Sequence, residues 1–275
     1  DWVDELVVGI DPSTTDRTRA VLDAVIEDNP LKAVSVIDLS GPVLETGFAA
    51  ARNQVMDASC GEWILWADAD EEVRNPWAMW PRLRYSGADG YGTPQVHYSA
   101  DPRQVLPTDY PTRLFRRSSG ARFYGYVHEH PEVEKGKAIP YTLLTGAFEF
   151  LHSGYVDEDT RRGRYLRNLP LLLRDRRENP DRTLNSFLMV RDMAQSIRFD
   201  SERHGGAVLP HHIEQAQEGI RLFETLLNSG AHLKLLIDSL QYYSQLVQVT
   251  GGGYEAEIRH SVRHDWSQSL GQQIE

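Results

Sequence analysis

The 275-residue chain predicts an α/β domain followed by a helical extension, and three observations carry that expectation. In the first part of the chain, short apolar runs alternate with segments of helical period. The middle turns to brief β-type pieces broken by Pro and Gly. After Tyr155, apolar residues recur at steps of three and four, which is one face of a helix. The boundaries read as 1–155 for an α/β domain that is incomplete at its amino end and 156–275 for the helical extension.

The elements follow in order. Leu6 to Ile10 is a continuous apolar run, as in a strand buried on both faces. Asp11, Pro12 and Ser13 stop it, and Thr15 and Asp16 can cap a helix whose apolar stripe is Val21, Leu22, Val25 and Ile26. Asn29-Pro30 ends that helix. Ala33 to Leu39 reads as a second strand, Ala49 to Ser59 as a second helix with Gly61 suited to a left-handed cap, and Trp63 to Ala67 as a third strand. This alternation predicts parallel pairing through right-handed crossovers, with ligands beyond the carboxyl ends of the strands. Acids stand at two of those ends: Asp11, and the run from Asp68 to Glu71. Gln95 to Tyr98, Thr112 to Phe115 and Leu143 to Leu151 read as an antiparallel, loop-rich half of the same sheet. Four further segments read as helices that pack in antiparallel pairs. Their apolar positions are Tyr165, Leu166, Leu169, Leu172 and Leu173; the span Leu184 to Ile197; Ile213, Ala216, Ile220, Phe223 and Leu227; and Leu233, Ile237, Leu240 and Val247. A tetratricopeptide-like packing is open to them. Gly251 to Gly253 breaks the pattern before a last helix from Tyr254.

Composition narrows the function. A chain that is 40% hydrophobic and 25% charged can bury a core, whereas a net charge of −11 lacks the basic footprint of a nucleic-acid binder. No apolar run reaches the roughly 20 residues of a membrane span, and no signal-peptide pattern opens the chain. With Cys60 alone there is no internal disulfide and no cysteine zinc site, which predicts a reducing, cytoplasmic setting. No methionine opens the sequence, and Trp2 to Glu5 runs at once into a strand, so it reads as beginning inside a domain.

Asp68 and Asp70 lie two apart at the end of an apolar strand. In extended backbone both carboxylates point one way, and a divalent cation, Mn2+ or Mg2+, would relieve their repulsion and clamp a diphosphate. A solvated acidic loop is the other reading of the same spacing. Trp63, Trp66, Trp77 and Trp80 read first as packing residues. His211 and His212, adjacent on a helix, point in different directions and do not read as a zinc site.

Several blocks together resemble family 2 glycosyltransferases of the GT-A fold. They are Asp4 to Val8 with Asp11, Thr14, Thr15, Asp16 and Thr18; Gly47 to Asn53; and Gly61 to Glu71. Arg113 to Arg116, Phe123 to Gly125, Val127 to Glu129, His152 to Tyr155 and Arg167 to Leu169 are similar to the branch that includes peptide S-glycosyltransferases. The similarity covers residues 1 to about 190 in order. It departs at Ser13 and Arg17, where the family has glycines, and at the front, where the family's first strand and helix are missing.

The resemblance implies a mixed, Rossmann-like sheet, a nucleotide-sugar donor such as a UDP-sugar, a protein, peptide or glycan acceptor, and inverting transfer. It implies that Asp11 contacts the nucleotide base, that Asp68 faces the ribose or a metal-bound water, and that Asp70 ligates the metal with Asp68. Arg52 would hold the pyrophosphate or the acid cluster, and His152 would be a third metal ligand. Inverting chemistry needs a base. Glu129 is the candidate, with His128 to orient the acceptor or serve instead. Each residue keeps a plainer alternative: a turn aspartate for Asp11, a surface arginine for Arg52, a core histidine for His152, and a polar loop for His128 and Glu129. A phosphatase with a nucleophilic aspartate would want Thr or Val where Glu72 stands. A nucleotidyltransferase on a related fold, and a non-catalytic helical interaction module, are the remaining rivals.

Overall fold

The computed structural model describes residues 2–28, 33–85, 87–98, 108–144, 148–152, 158–180, 182–228 and 233–251. The chain divides into two compact units, Asp1–Gly163 and Arg164–Glu275. The expected last helix from Tyr254 lies outside the described residues, as does the part of the His152 block that follows His152.

The first unit opens with β1 (Glu5–Ile10), α1 (Thr18–Asp28) and β2 (Ala33–Asp38). β1 and β2 pair in parallel along their full length, from Glu5 opposite Ala33 to Ile10 opposite Asp38. The expected stripe of α1 is not buried: Val21 and Val25 are exposed. A single turn, α2 (Val43–Thr46), precedes α3 (Phe48–Ala58), which buries Ala49, Ala51 and Met56. α3 ends on Ser59 in extended conformation, and Gly61 is not left-handed as its spacing suggested.

β3 (Trp63–Leu65) follows, then β4 (Glu71–Arg74), a 3-10 turn over Pro76–Met79 and α4 (Trp80–Tyr85). Next come β5 (Gly90–Gly92), β6 (Gln95–His97), β7 (Thr112–Arg116), β8 (Arg122–Tyr124), β9 (His130–Glu134), β10 (Lys137–Ala138), β11 (Thr142–Leu143) and β12 (Glu149–His152). The third strand does not extend the parallel pair. β3 runs antiparallel to β7 in a sheet ordered β11-β5-β7-β3, so the crossover argument holds only for β1 and β2.

Alternation along the strands separates two cores. Leu114 and, on β3, Trp63 and Leu65 face a cluster with Met79, Leu83, Tyr91, Phe148 and Phe150. Phe115, Ile64 and Trp66 face the other side, with Ala49, Met56 and Phe123. Phe115 is fully buried, so truncating it to Ala would cost about 3–5 kcal/mol.

In the second unit α5 (Glu158–Glu178), which starts in the first, leads to α6 (Thr183–Arg203), α7 (Pro210–Asn228) and α8 (Leu233–Val249). α6, α7 and α8 each touch the other two. The stripe expected of α7 holds at its centre, with Ala216, Ile220 and Phe223 buried, but Ile213 is exposed, and Leu222 and Leu226 are buried in addition. The buried face of α5 is rotated from the expected stripe: Asn168, Leu171, Leu172 and Asp175 are inside, and Leu166 and Leu173 are exposed. Among the described residues no helix is long and apolar enough to cross a membrane.

Candidate functional site

Just beyond the carboxyl end of β3, two guanidiniums lie over the ring of Trp66, with Arg52 Cζ 4.2 Å and Arg113 Cζ 3.7 Å from its centroid. Its indole N–H donates to the Thr112 carbonyl at 2.8 Å, which fixes the ring. Trp66 packs, as expected, and also serves as a platform that sets both arginines.

The arginines gather the acids. Arg52, from α3, donates through Nη2 to Asp68 Oδ1 at 2.7 Å and through Nε to Glu129 Oε1 at 2.5 Å. Arg113, from β7, donates through Nη2 to Glu71 Oε1 at 2.5 Å, and its Nη1 lies 3.6 Å from Asp68 Oδ2. Glu71 also accepts from Gln95 and, at 2.8 Å, from the Asp68 amide. Burial alone would raise the Asp68 carboxyl; the charges of Arg52 and Arg113 outweigh it and leave the pKa below its ordinary value. For the Arg113–Glu71 pair burial dominates, raising the carboxyl and lowering the guanidinium, so their attraction does not fully offset the loss of water.

Asp68 and Asp70 do not sit in extended backbone. The Glu71 amide donates to the Asp68 carbonyl at 3.1 Å, closing a turn that sends the two carboxylates to different partners. Asp70 turns to His152, with Oδ2 and Nε2 3.3 Å apart. β12 explains the meeting. It lies between β4 and β6 and sets His152 opposite Glu71 on one side and His97 on the other. His152 is buried, and its Nδ1 is 3.0 Å from His97 Nδ1; His97 Nε2 is 3.0 Å from Asp109 Oδ2. Asp70 and His152 fit a hard divalent cation. A carboxylate oxygen and an imidazole nitrogen that share such an ion stand about 3 Å apart. Asp68 does not join them: among the described residues, no set of three ligand atoms within 4.8 Å of one another includes it.

Glu129 and His128 lie in the loop between β8 and β9. His128 has φ 53°, a left-handed conformation that costs a non-glycine residue strain. The Phe48 amide donates to the Tyr126 carbonyl at 2.8 Å, docking the loop on the start of α3. Gly47, at φ 89°, permits this contact: a Cβ there would lie 2.9 Å from the Tyr126 Cα. One turn further along α3, Arg52 meets Glu129.

Asp11, at the end of β1, accepts from the Ser13 amide and hydroxyl through Oδ1 and from the Val43 amide at 2.7 Å through Oδ2. Burial raises its carboxyl, but these hydrogen bonds prevail and lower it. Trp77 and Trp80 are exposed, contrary to the packing expectation.

The histidines of α7 also correct a reading. His211 and His212 converge on Asp200 Oδ2, at 3.2 and 2.9 Å, because both stand in the first turn, beside the end of α6. The three ligand atoms lie within 4.8 Å of one another. However, His212 Nδ1 accepts the Leu209 amide at 3.1 Å. The ring proton of neutral His212 is then on Nε2, which makes that atom a donor to Asp200 and the cluster a tie between α6 and α7.

Residues 3–131 match the family described as Glycosyl transferase family 2. The chain carries a family 2 glycosyltransferase domain. It is 25% identical over 194 residues to the SPbeta prophage-derived glycosyltransferase SunS of Bacillus subtilis, covering 66% of this chain and 41% of that protein. It is 32% identical over 135 residues to a TPR repeat-containing protein of Synechococcus elongatus, covering 47% and 29%. The chain thus spans less than half the length of the curated relatives it matches. Among solved structures it resembles S. aureus TarS 1–349 in complex with UDP-GlcNAc, with a TM-score of 0.50, 14% identity, and coverage of 92% of this chain and 83% of that one. That likeness identifies the fold of the family 2 domain as GT-A.

The sequence singled out Asp68, Asp70, Arg52, Glu129 and His152, and the fold gathers them into two linked groups. It placed Glu71 in the acidic run and Trp66 in packing without a site role, and it missed Arg113 and His97 as site residues. Arg113 and Glu71 stand inside blocks of family resemblance, but their burial, which marks them, is not visible in a string of letters.

Proposed function

We propose that this chain transfers a sugar from a nucleotide-sugar donor, a UDP-sugar, to a protein, peptide or glycan acceptor, with inversion and with Mn2+ or Mg2+. The observation that carries the reading is the Asp70–His152 pair standing beside an acid network anchored by two arginines. The family 2 domain and the UDP-GlcNAc held by the structural neighbour support the donor class.

Asp70 and His152 would hold the cation. When bound, it supplies positive charge against the negative charge that builds on the departing diphosphate. Asp68, kept ionised by Arg52 and Arg113, faces the donor side and accepts a ribose hydroxyl or a water proton. Asp11 accepts from the nucleotide base at the end of β1, where open α/β sheets bind ligands.

In the transfer, the acceptor heteroatom forms a bond to the anomeric carbon as the bond from that carbon to the diphosphate oxygen breaks. The electron pair leaves on the diphosphate, and the acceptor proton passes to Glu129. Arg52 holds one oxygen of Glu129 and so aims the other. His128, in its strained loop position, orients the acceptor.

The test is incubation of the protein with Mn2+ and a panel of nucleotide sugars, with detection of released nucleoside diphosphate. Turnover on at least one UDP-sugar, abolished by chelation, is expected. Silence across the panel, with an acceptor library present, would sink the enzyme reading.

A further inference from the structure

We infer that His97 and Asp109 are positioning residues that hold His152 in the tautomer whose Nε2 lone pair faces Asp70. The inference rests on the reading of Asp70 and His152 as the cation pair and adds what prepares the imidazole for that role.

The contact between His97 Nδ1 and His152 Nδ1, at 3.0 Å, has room for one hydrogen, so one ring donates and the other accepts. A neutral His152 that offers Nε2 to a cation carries its proton on Nδ1, and therefore donates to His97. Neutral His97, accepting at Nδ1, carries its own proton on Nε2, and 3.0 Å away stands the carboxylate of Asp109. These two contacts then each have a donor and an acceptor, and the facing acceptors His152 Nε2 and Asp70 Oδ2, 3.3 Å apart, are the pair that a cation between them would satisfy. Reversing the first bond would give Asp70 a donor, but it would turn a proton toward the cation position and leave the Nε2 lone pair of a neutral His97 against the Asp109 carboxylate, so with a cation bound it is the disfavoured arrangement. Asp109, two contacts away from His152, thus biases which nitrogen of His152 faces the cation.

The backbone holds this chain of contacts in place. His97 and His152 are direct partners in the parallel β6–β12 ladder. Asp109 is pinned by a two-way backbone pair with Gln95, at 2.8 and 3.1 Å. Both imidazoles are nearly inaccessible to water, so no solvent competes for the nitrogens. His152 uses a ring nitrogen for an outer partner, as metal-bound histidines do, except that here the partner is a second imidazole backed by an acid.

The test is Mn2+ affinity in the presence of UDP, by calorimetry, together with nitrogen NMR of the imidazoles with Mg2+ and UDP bound. Asp109→Ala is the main variant because its side chain is largely exposed and folding should survive; His97→Phe is the second. Both should weaken Mn2+ binding by about 10–100-fold and mix the His152 tautomers. Asp109→Asn keeps an accepting oxygen for His97 and should recover most of the loss. If His152→Ala loses Mn2+ while Asp109→Ala and His97→Phe bind it as the wild type does, the positioning role is overturned and the cation pair stands. If His152→Ala and Asp70→Ala both bind normally, the cation pair itself is wrong, and this inference falls with it.

Discussion

Asp68 and Glu129 share one guanidinium. Arg52 donates to the first from Nη2 at 2.7 Å and to the second from Nε at 2.5 Å. The acid that follows β3 and the acid of the β8–β9 loop are therefore fixed relative to each other by a third side chain, stacked on Trp66. The two acids belong to one fixed constellation.

That arrangement makes Arg52 a stability residue as well as a site residue. Arg52→Met leaves the buried Glu129 carboxylate without its cation. Breaking a buried pair costs about 3–5 kcal/mol. Asp68 is 38% exposed, so water replaces part of its loss, and about 3 kcal/mol is expected. At roughly 2–4 °C per kcal/mol the melting temperature should fall by roughly 6–12 °C. Arg52→Lys should not restore it, because an ammonium cannot reproduce the planar fork that spans both acids. Thermal denaturation of the three proteins checks this; equal melting temperatures would show that the shared guanidinium adds nothing.

Asp70→Asn tests the cation site from its other end. An amide keeps the shape and removes the charge, so Mn2+-dependent UDP binding should weaken by at least about tenfold. Asp68→Asn should weaken it less, since Asp68 is turned toward arginines and not toward His152. Calorimetry with and without Mn2+ separates the two, and an equal loss in both would return Asp68 to the cation.

Much of the fold could be read from letters because local pattern decided it. β1, β2, α3 and the centre of the α7 stripe follow from apolar period and from Pro or Gly at the ends. Reading failed where tertiary pairing ruled. β3 has the composition of a parallel strand, yet its neighbour is β7 in antiparallel register. Asp68 and Asp70 have the spacing of a shared ligand, yet a hydrogen bond from the Glu71 amide turns the chain between them. His97 belongs to no motif; only the register that sets it opposite His152 reveals it. Gly47 read as part of a family block, but its reason is the close approach of Tyr126.

Gly47→Ala follows from that reason. Its φ of 89° is strained for alanine, and the added methyl meets the Tyr126 backbone at 2.9 Å. A left-handed non-glycine residue costs about 1–3 kcal/mol, so the stability loss should fall in or above that range. Because the clash pushes on the loop that carries Glu129, turnover should fall further than stability alone explains. Denaturant titration beside steady-state rates decides; a stable variant with normal turnover would mean that the loop has slack.

The pH dependence has a definite sign. Asp68 has a folded pKa below its unfolded value, so it binds fewer protons in the native state. Its contribution is complete above the unfolded carboxylate value of about 4 and drains away as pH falls through the lower folded value. Glu71 is shifted up and acts oppositely: its contribution is present below the unfolded value and is lost as pH rises through the folded one. Asp68→Asn should therefore flatten the loss of stability on acidification below pH 4, measured by urea unfolding. Glu71→Gln should flatten the opposing trend above it. A steeper acid limb in Asp68→Asn would reverse the assignment.

Glu129→Gln separates chemistry from binding. Glutamine keeps the length and an accepting oxygen, so Arg52 still has a partner and the loop keeps its place, but the amide cannot take a proton. If Glu129 is the base, kcat should drop by about 100–10,000-fold while KM for the donor stays within a few-fold. If Glu129 only orients Arg52, the same variant should retain most of its turnover, and Arg52→Met should be the more damaging change. The two readings thus predict opposite rankings for one pair of variants, and steady-state kinetics on a single donor distinguishes them. A sulfur acceptor, already partly ionised at neutral pH, should depend on Glu129 less than an oxygen acceptor does. The size of the Glu129→Gln defect therefore reports which heteroatom attacks.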